Sequence, residues 1–423
     1  MAGIFAYPGY ARFWAADAVS TFGTYITTVA LPTLAVVTLK ASDAQVGLLN
    51  GARWTPYLLF GLLAGVIADR YRLRPMLVAA DLVRGTLLAL VASLAAADMM
   101  NIYALAAFVA VFGALSLLYD ASHQSYLPRL IPPAGLTTAN ARLEQTTALA
   151  QTTGPFIGGS LVAAIGAPLS MIVDAVSYVA SGLVLATIRR PEPAPNADTR
   201  NLRAELGEGL RFVYRHPVLR SSSLTLHARF LFASIISTVF TLFVLRDPGL
   251  GHGSKRAAFG LGLVLAAGGA GAVLGNTLSA KAGRTWGAGR VIVGERLAEP
   301  CAWTLAAFAT GGAAGWGMVA GAQFLVWVAL GMSGPSEMAY RQAVTPDRLQ
   351  GRANATIRSL NWGMFTIGAP VGGLLATHVG YRPALWLAIG GMAGAAVVAA
   401  LSPTRTARIE APSEAAVASE TSV

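Results

Sequence analysis

One cysteine and five histidines in 423 residues leave little room for metal or redox chemistry. Cys301 has no partner for an intramolecular disulfide, and no Cys/His group has metal-ligand spacing. The isolated thiol is expected to be a small buried filler. Charge is scarce as well. Asp, Glu, Lys and Arg make up 12% of the chain, against about 25% in soluble proteins. That scarcity excludes the two or three soluble domains this length would otherwise suggest. No phosphate-cradling Gly-Lys-Ser/Thr loop is present, so the chain shows no nucleotide-driven engine. No nucleophile–base set is visible either, and neither a cofactor nor an enzymatic activity is expected.

What the chain has in quantity is apolar sequence. It is 55% hydrophobic, with a mean hydropathy of +0.57. The apolar residues gather into twelve runs, over 12–38, 46–68, 76–97, 102–122, 141–164, 168–188, 221–245, 257–280, 290–311, 314–336, 354–377 and 382–402. A helix needs about 20 such residues to cross a bilayer core. Inside lipid every backbone polar group must be satisfied within the segment. The sequence therefore predicts an all-α integral membrane protein with twelve transmembrane helices. The first run is too long for a signal-peptide core, so it is expected to be retained.

Basic residues outnumber acidic ones 31 to 20, but their placement argues against a nucleic-acid partner. With twelve spans, 22 of the basic residues fall in loops on one side and 5 on the other; 4 lie within spans. Such a bias marks the cytoplasmic side and places both termini there.

The chain also repeats itself. An offset of 214 residues sets Tyr126 on Tyr340, Pro132 on Pro346, Asn140 on Asn354, Gly154 on Gly368 and Gly158-Gly159 on Gly372-Gly373. It also sets Arg70 on Arg284 and Asp81 on Glu295. Repeats of this kind divide the chain into two pseudo-symmetric six-helix halves, residues 1–188 and 221–402. Residues 189–220 form the linker, in which Leu206, Leu210, Val213 and Tyr214 share a helical face and suggest an interfacial helix. Residues 403–423 are expected to be a disordered cytoplasmic tail.

Two motifs stand out. "GVIADRYRLRP", residues 65–75, packs one acid and three bases between two apolar runs. "GPFIGG", Gly154–Gly159, combines a helix-kinking proline with flat glycine surfaces that let helices approach closely. With two parallel six-helix halves, these motifs resemble the major facilitator superfamily. Gly65, Asp69, Arg70 and Arg74 match its loop motif between helices two and three, although Arg72 stands where a second glycine is usual. In that family the loop latches helices two and three to the other half. Gly154, Pro155, Gly158 and Gly159 are similar to the core of its antiporter-associated helix-five motif, and a gating role is implied for both sets. Residues 126–186 resemble the bacterial branch of macrolide-efflux and enterobactin-export proteins.

Charges inside a bilayer are costly and become functional candidates by default. Asp17 in the first span is the first proton-coupling candidate, followed by Glu299, Glu295 and Asp174. Arg53 enters from the same side as Asp174 and is a possible partner for it. Asp81 and Arg84, three apart, are expected to pair. Arg296 is expected to point away from its glutamate neighbours. Lining candidates for a midplane cavity between the halves are Tyr25, Tyr57, Tyr119, Arg229, Trp327, Trp362 and Phe365.

Together these readings predict a secondary active transporter in a bacterial cytoplasmic membrane. It is expected to act as a monomer that exchanges protons for a bulky apolar small molecule by alternating access. The alternative within transport is a siderophore or nutrient carrier. A non-transporting sensor or scaffold would need more extramembrane chain than the 32-residue linker offers.

Overall fold

The computed structural model describes residues 4–190, 192, 202–250 and 255–407, and these hold helices and turns with no strand. Six long helices come first: α1 (Tyr10–Thr33), α2 (Asp43–Arg70), α3 (Leu73–Ala96), α4 (Ile102–Leu130), α5 (Pro133–Ile165) and α6 (Ala167–Ala186). A shorter α7 (Leu202–Arg215) follows in the linker. Six more long helices complete the chain: α8 (Pro217–Arg246), α9 (Lys255–Trp286), α10 (Ala288–Ala307), α11 (Gly312–Val344), α12 (Asp347–Val379) and α13 (Tyr381–Leu401).

The twelve long helices follow the twelve apolar runs, with one systematic difference. α4, α5, α11 and α12 run about two turns past the apolar stretches at the end bearing the basic loops. Those extra turns are polar, and hydropathy does not register a helix that leaves the hydrocarbon. Among the described residues, nine of the twelve are long and apolar enough to cross a membrane by length and composition alone. The other three, α2, α10 and α12, carry Arg53, Glu295, Arg296, Glu299 and Asn361 among their residues. These side chains bind or pack within the bundle, so the helices look polar without exposing charge to lipid.

The 214-residue offset is visible in three dimensions. It carries both ends of α5 onto those of α12, and the end of α4 onto that of α11. The α5–α6 turn at Gly166 (φ 84°) repeats as the α12–α13 turn at Gly380 (φ 85°). Positive φ there costs glycine nothing, which lets one helix follow another without a loop.

Two helix pairs join the halves. α2 crosses α12, and a Cβ added to Gly47 would come within 2.9 Å of the Gly373 Cα. α5 crosses α9, where one added to Gly262 would run into the Pro155 carbonyl oxygen and lie 2.9 Å from the Gly159 Cα. Only glycine permits such backbone contact, and dispersion between close helices replaces the hydrophobic effect that lipid lacks. At the end away from the basic loops, Asp43 at the start of α2 pairs with Arg246 at the end of α8. It also accepts a 3.3 Å hydrogen bond from Tyr381 Oη.

The linker helix does more than lie at an interface. Val213 is fully buried against Leu226, Ala353 and Ile357, docking α7 on α8 and α12. Leu210 is exposed, and the Leu206 side chain lies outside the described residues. Within the expected tail, Pro403–Thr406 form a short turn, and the Ala407 carbonyl accepts a hydrogen bond from Gly289 N. Residues 408–423 lie outside the described residues. Cys301, expected to be buried, is exposed on α10.

Candidate functional site

Aromatic side chains from both halves meet where α2 crosses α12. Trp54 and Trp362 stack with ring centroids 4.2 Å apart and planes inclined by 9°. Tyr57 lies 5.2 Å from Trp54 on the next turn of α2, and Phe365 packs against both indoles. Phe230 of α8 meets Trp362 edge-on at 5.4 Å. Trp54 lies eleven residues into α2, about 17 Å along its axis, so the cluster sits near mid-depth. Of the expected lining residues, the structure brings Tyr57, Trp362 and Phe365 together here. Trp54 and Phe230 were missed, although Trp54 lies three residues before Tyr57 and so shares its helix face.

The remaining lining candidates go elsewhere. Tyr25 backs onto Gly154, and Trp327 packs on Gly268, each within its own half. The Tyr119 ring lies 4.2 Å from the Arg84 guanidinium and stacks on His123 at 5.6 Å. The Arg229 guanidinium touches the cluster only at its edge, 5.4 Å from the Phe230 ring, and its hydrogen bonds go to acids of α10. Its Nε is 3.1 Å from Glu295 Oε1, and its Nη2 is 3.0 Å from Glu299 Oε1. Arg296, expected to point away, bonds to the other Glu295 oxygen and lies 3.1 Å from Glu337. Glu337 also accepts from Ser222 and faces Arg341 at 3.8 Å. Three arginines and three glutamates thus balance one another inside the second half. A proton arriving on either Arg229-bound carboxylate would leave that guanidinium under-compensated.

The first half is arranged differently. Asp81 pairs with Arg84 as expected and accepts a 2.6 Å hydrogen bond from Ser181. Arg84 is held between the rings of Tyr119 and Tyr178, where cation–π attraction adds to the ion pair. Asp174 is fully buried, held by the hydroxyls of Thr27 and Ser177. Its carboxylate borders a narrow cavity lined also by Thr24, Leu88 and Phe112. Arg53 lines the same narrow cavity without forming an ion pair to it. Asp17 is also buried, and His123 Nε2 lies 3.0 Å from its Oδ1, at ion-pair distance but off hydrogen-bond alignment. His123 was missed from the sequence. The signal was available, since the 214-residue offset sets it opposite Glu337.

α4 connects this pair to the aromatic cluster. Tyr57 Oη donates a 3.0 Å hydrogen bond to Asp120, adjacent to Tyr119 and one turn before His123. α4 thus touches the cluster through Asp120 and carries His123, the partner of Asp17.

The motif residues hold helices together. Gly154 and Gly158 seat α5 on α1, while Gly159 and Pro155 meet α9 across the halves. Arg74 bonds to the Leu185 and Ala186 carbonyls of α6, tying the basic loop to its own half rather than to the other. Arg70 is exposed, and the side chains of Gly65 and Asp69 lie outside the described residues. Arg72 adopts φ −68° and ψ 126°, extended backbone that does not require the family's glycine.

Comparison with known proteins agrees with this architecture. The family described as transmembrane secretion effector matches residues 4–421. The chain is a major facilitator superfamily transporter. An MFS-type transporter of Sinorhizobium fredii, y4rN, is 28% identical to this transporter over 80% of its length and 81% of the relative's. The multidrug efflux pump Tap of Mycobacterium tuberculosis is 30% identical over 47% of this chain and 49% of the pump. Among solved structures, the nucleoside transporter NupG superposes with a TM-score of 0.73 at 12% identity, covering 93% of this chain and 98% of its own. A bacterial homologue of the lysosomal transporter Spinster gives 0.71 at 16%, covering 96% and 99%. At such identities the structures attest the fold alone. Relatives and neighbours alike are membrane transporters, not enzymes.

Proposed function

We propose that this transporter exports a bulky, largely apolar small molecule in exchange for protons. The observation that carries the reading is the aromatic cluster built jointly by α2, α8 and α12. An apolar solute bound there contacts both halves, so binding depends on how they are placed. The similarity to a multidrug efflux pump over half the chain supports an exporter. Residues 1–188 and 221–402 act as the two rocking bodies, with Gly154, Pro155, Gly158 and Gly159 at their contact.

Energy comes from the proton gradient. One charge crossing 100 mV is worth roughly 2.3 kcal/mol, about a fifty-fold gradient of solute. Asp17 is the proton carrier in this scheme, because its partner is a titratable imidazole instead of a fixed guanidinium. The hydrogen bond from Tyr57 to Asp120 offers a path by which substrate contact reaches the α4 face holding His123. Asp174 is a second buried carboxylate without a cation partner. Glu295 and Glu299 serve to neutralise arginines.

The function is tested by a compound-susceptibility screen in an efflux-deficient bacterium expressing the parent or Trp362→Ala. The parent is expected to raise resistance to large apolar compounds, and the variant to lose most of it at equal expression. Resistance unchanged in Trp362→Ala would remove the cluster from the substrate path. Siderophore release without any drug phenotype would favour the rival cargo.

The orientation assigned is cytoplasmic for the basic loops and both termini, in a bacterial cytoplasmic membrane. In a Cys301→Ser background, a cysteine at Arg72 should resist a membrane-impermeant thiol reagent in intact cells. One at Met99, 72% exposed on the opposite end, should react. The reverse pattern would invert the topology.

A further inference from the structure

The basic loop between α2 and α3 has a counterpart between α9 and α10, and the two are balanced differently. In the first half, the Glu192 carboxylate accepts hydrogen bonds from Leu73 N and Arg74 N at 2.7 and 2.9 Å and pairs with Arg129 at 3.1 Å. That half also carries Asp69 in the last turn of α2. At the 214-residue offset, Asp69 falls on Gly283 and Glu192 on Thr406. Both acids are gone, while Arg284 still stands on Arg70, and Arg290 and Arg405 are added where the first half has Met76 and Pro191.

Two clefts open at this place. One, of about 710 Å³, is walled by Arg284, Trp286 and Arg290, with Ser336 of α11 behind them. The second, of about 490 Å³, shares Trp286 and Arg290 and continues past Arg405 to Val293 and Ala400. No acidic group of the described residues lies within ion-pair distance of the three arginines. Glu337, on the turn of α11 that walls the first cleft, turns away to bind Arg296 and Ser222. The second cleft runs onto α13, whose Val397, Val398 and Leu401 are 51%, 59% and 75% exposed. In a bilayer that surface faces acyl chains.

We infer that these clefts bind the phosphate of an anionic phospholipid, with its acyl chains along α13. Arginines suit a phosphate because their planar forks present paired donors to its oxygens. Basic pockets between helix ends on the cytoplasmic face recognise anionic headgroups, and an indole at that depth anchors at the interface. The bound headgroup takes the place that Glu192 fills in the first half. It pins the start of α10, the helix that carries Glu295, Arg296 and Glu299. A soluble phosphate would match the arginines but leave the apolar cleft unused.

The experiment uses the full chain purified in detergent and titrated with phosphatidylglycerol, phosphatidylcholine, glycerol phosphate or inorganic phosphate, reading thermal stability and lipid adducts by native mass spectrometry. Phosphatidylglycerol should stabilise the parent at concentrations where phosphatidylcholine does not. Removing two arginines in Arg290→Gln/Arg405→Gln should weaken that binding about thirty-fold. Arg211→Gln, which removes an exposed charge from α7 at the same end, should not. Equal stabilisation of parent and double variant would overturn the site. Equal potency of glycerol phosphate would overturn the lipid as its occupant. Should the double variant fail to fold, a photoactivatable phosphatidylglycerol on the parent decides the matter. Its crosslinks should concentrate in the peptides spanning 284–293 and 397–407, and an even spread over the basic loops would refute the assignment.

Discussion

Asp17→Asn abolishes uphill efflux and leaves downhill exchange of the same solute largely intact. This is the expected result if Asp17 carries the proton, because the amide has the shape of the protonated acid but cannot release it. The buried carboxylate faces His123 Nε2 at 3.0 Å, and His123 stacks between Phe13 and Tyr119. Protonating either member changes the charge of the pair, and moving that charge requires the halves to move. Collapsing the proton gradient should stop export by the parent and change the variant little. Loss of the coupled component corresponds to a fall in the steady-state gradient of about fifty-fold at 100 mV. His123→Gln should shift the pH dependence of efflux without mimicking Asp17→Asn. The measurement is efflux from proteoliposomes with an imposed pH gradient, beside counterflow without one. Full pH-driven efflux by Asp17→Asn would move the coupling role to Asp174, the other buried carboxylate without a cation.

The largest loss of stability is expected at Arg229. It binds Glu295 and Glu299 at once, both nearly fully buried. Arg229→Met leaves Glu299 without a cation and Glu295 with Arg296 alone, and breaking such a buried set by removing one member costs about 3–5 kcal/mol. Melting in detergent should fall by roughly 3–6 °C, taking about 1 °C per kcal/mol for 423 residues. Pairing it with Glu299→Gln restores the balance of charge among Glu295, Arg296, Glu337 and Arg341, and should recover most of the loss. A single variant as stable as the parent would show that the cluster is hydrated and contributes little. A double variant no better than the single would assign the loss to missing packing of the arginine stem.

Much of this transporter is written locally. The twelve spans, the repeat at 214 residues and the bias of its basic loops depend on residues a few positions apart or on a fixed offset. A bilayer enforces these, because it admits only helices whose backbones satisfy themselves. The pairing of Asp81 with Arg84 was legible for the same reason, since three residues is one helical turn.

The fine positions were not local. Arg296 follows Glu295 in the chain, and helical geometry alone turns their side chains apart; Glu337, supplied by α11, draws the guanidinium back. Asp174 lies near a helix end, yet Thr27 of α1 closes over it. Trp54 and Trp362 are 308 residues apart, and nothing in either stretch announces the stack. Long polar side chains reach several ångströms, so their partners are chosen by which helices pack together. In a membrane that choice falls to small residues such as Gly47 with Gly373 and Gly159 with Gly262, whose backbones touch. Thus the sequence alone determined how many helices cross, which ends are basic and where the fold repeats. Only the tertiary packing decided which carboxylate meets a histidine, which meet arginines, and where aromatic surface from both halves becomes one site.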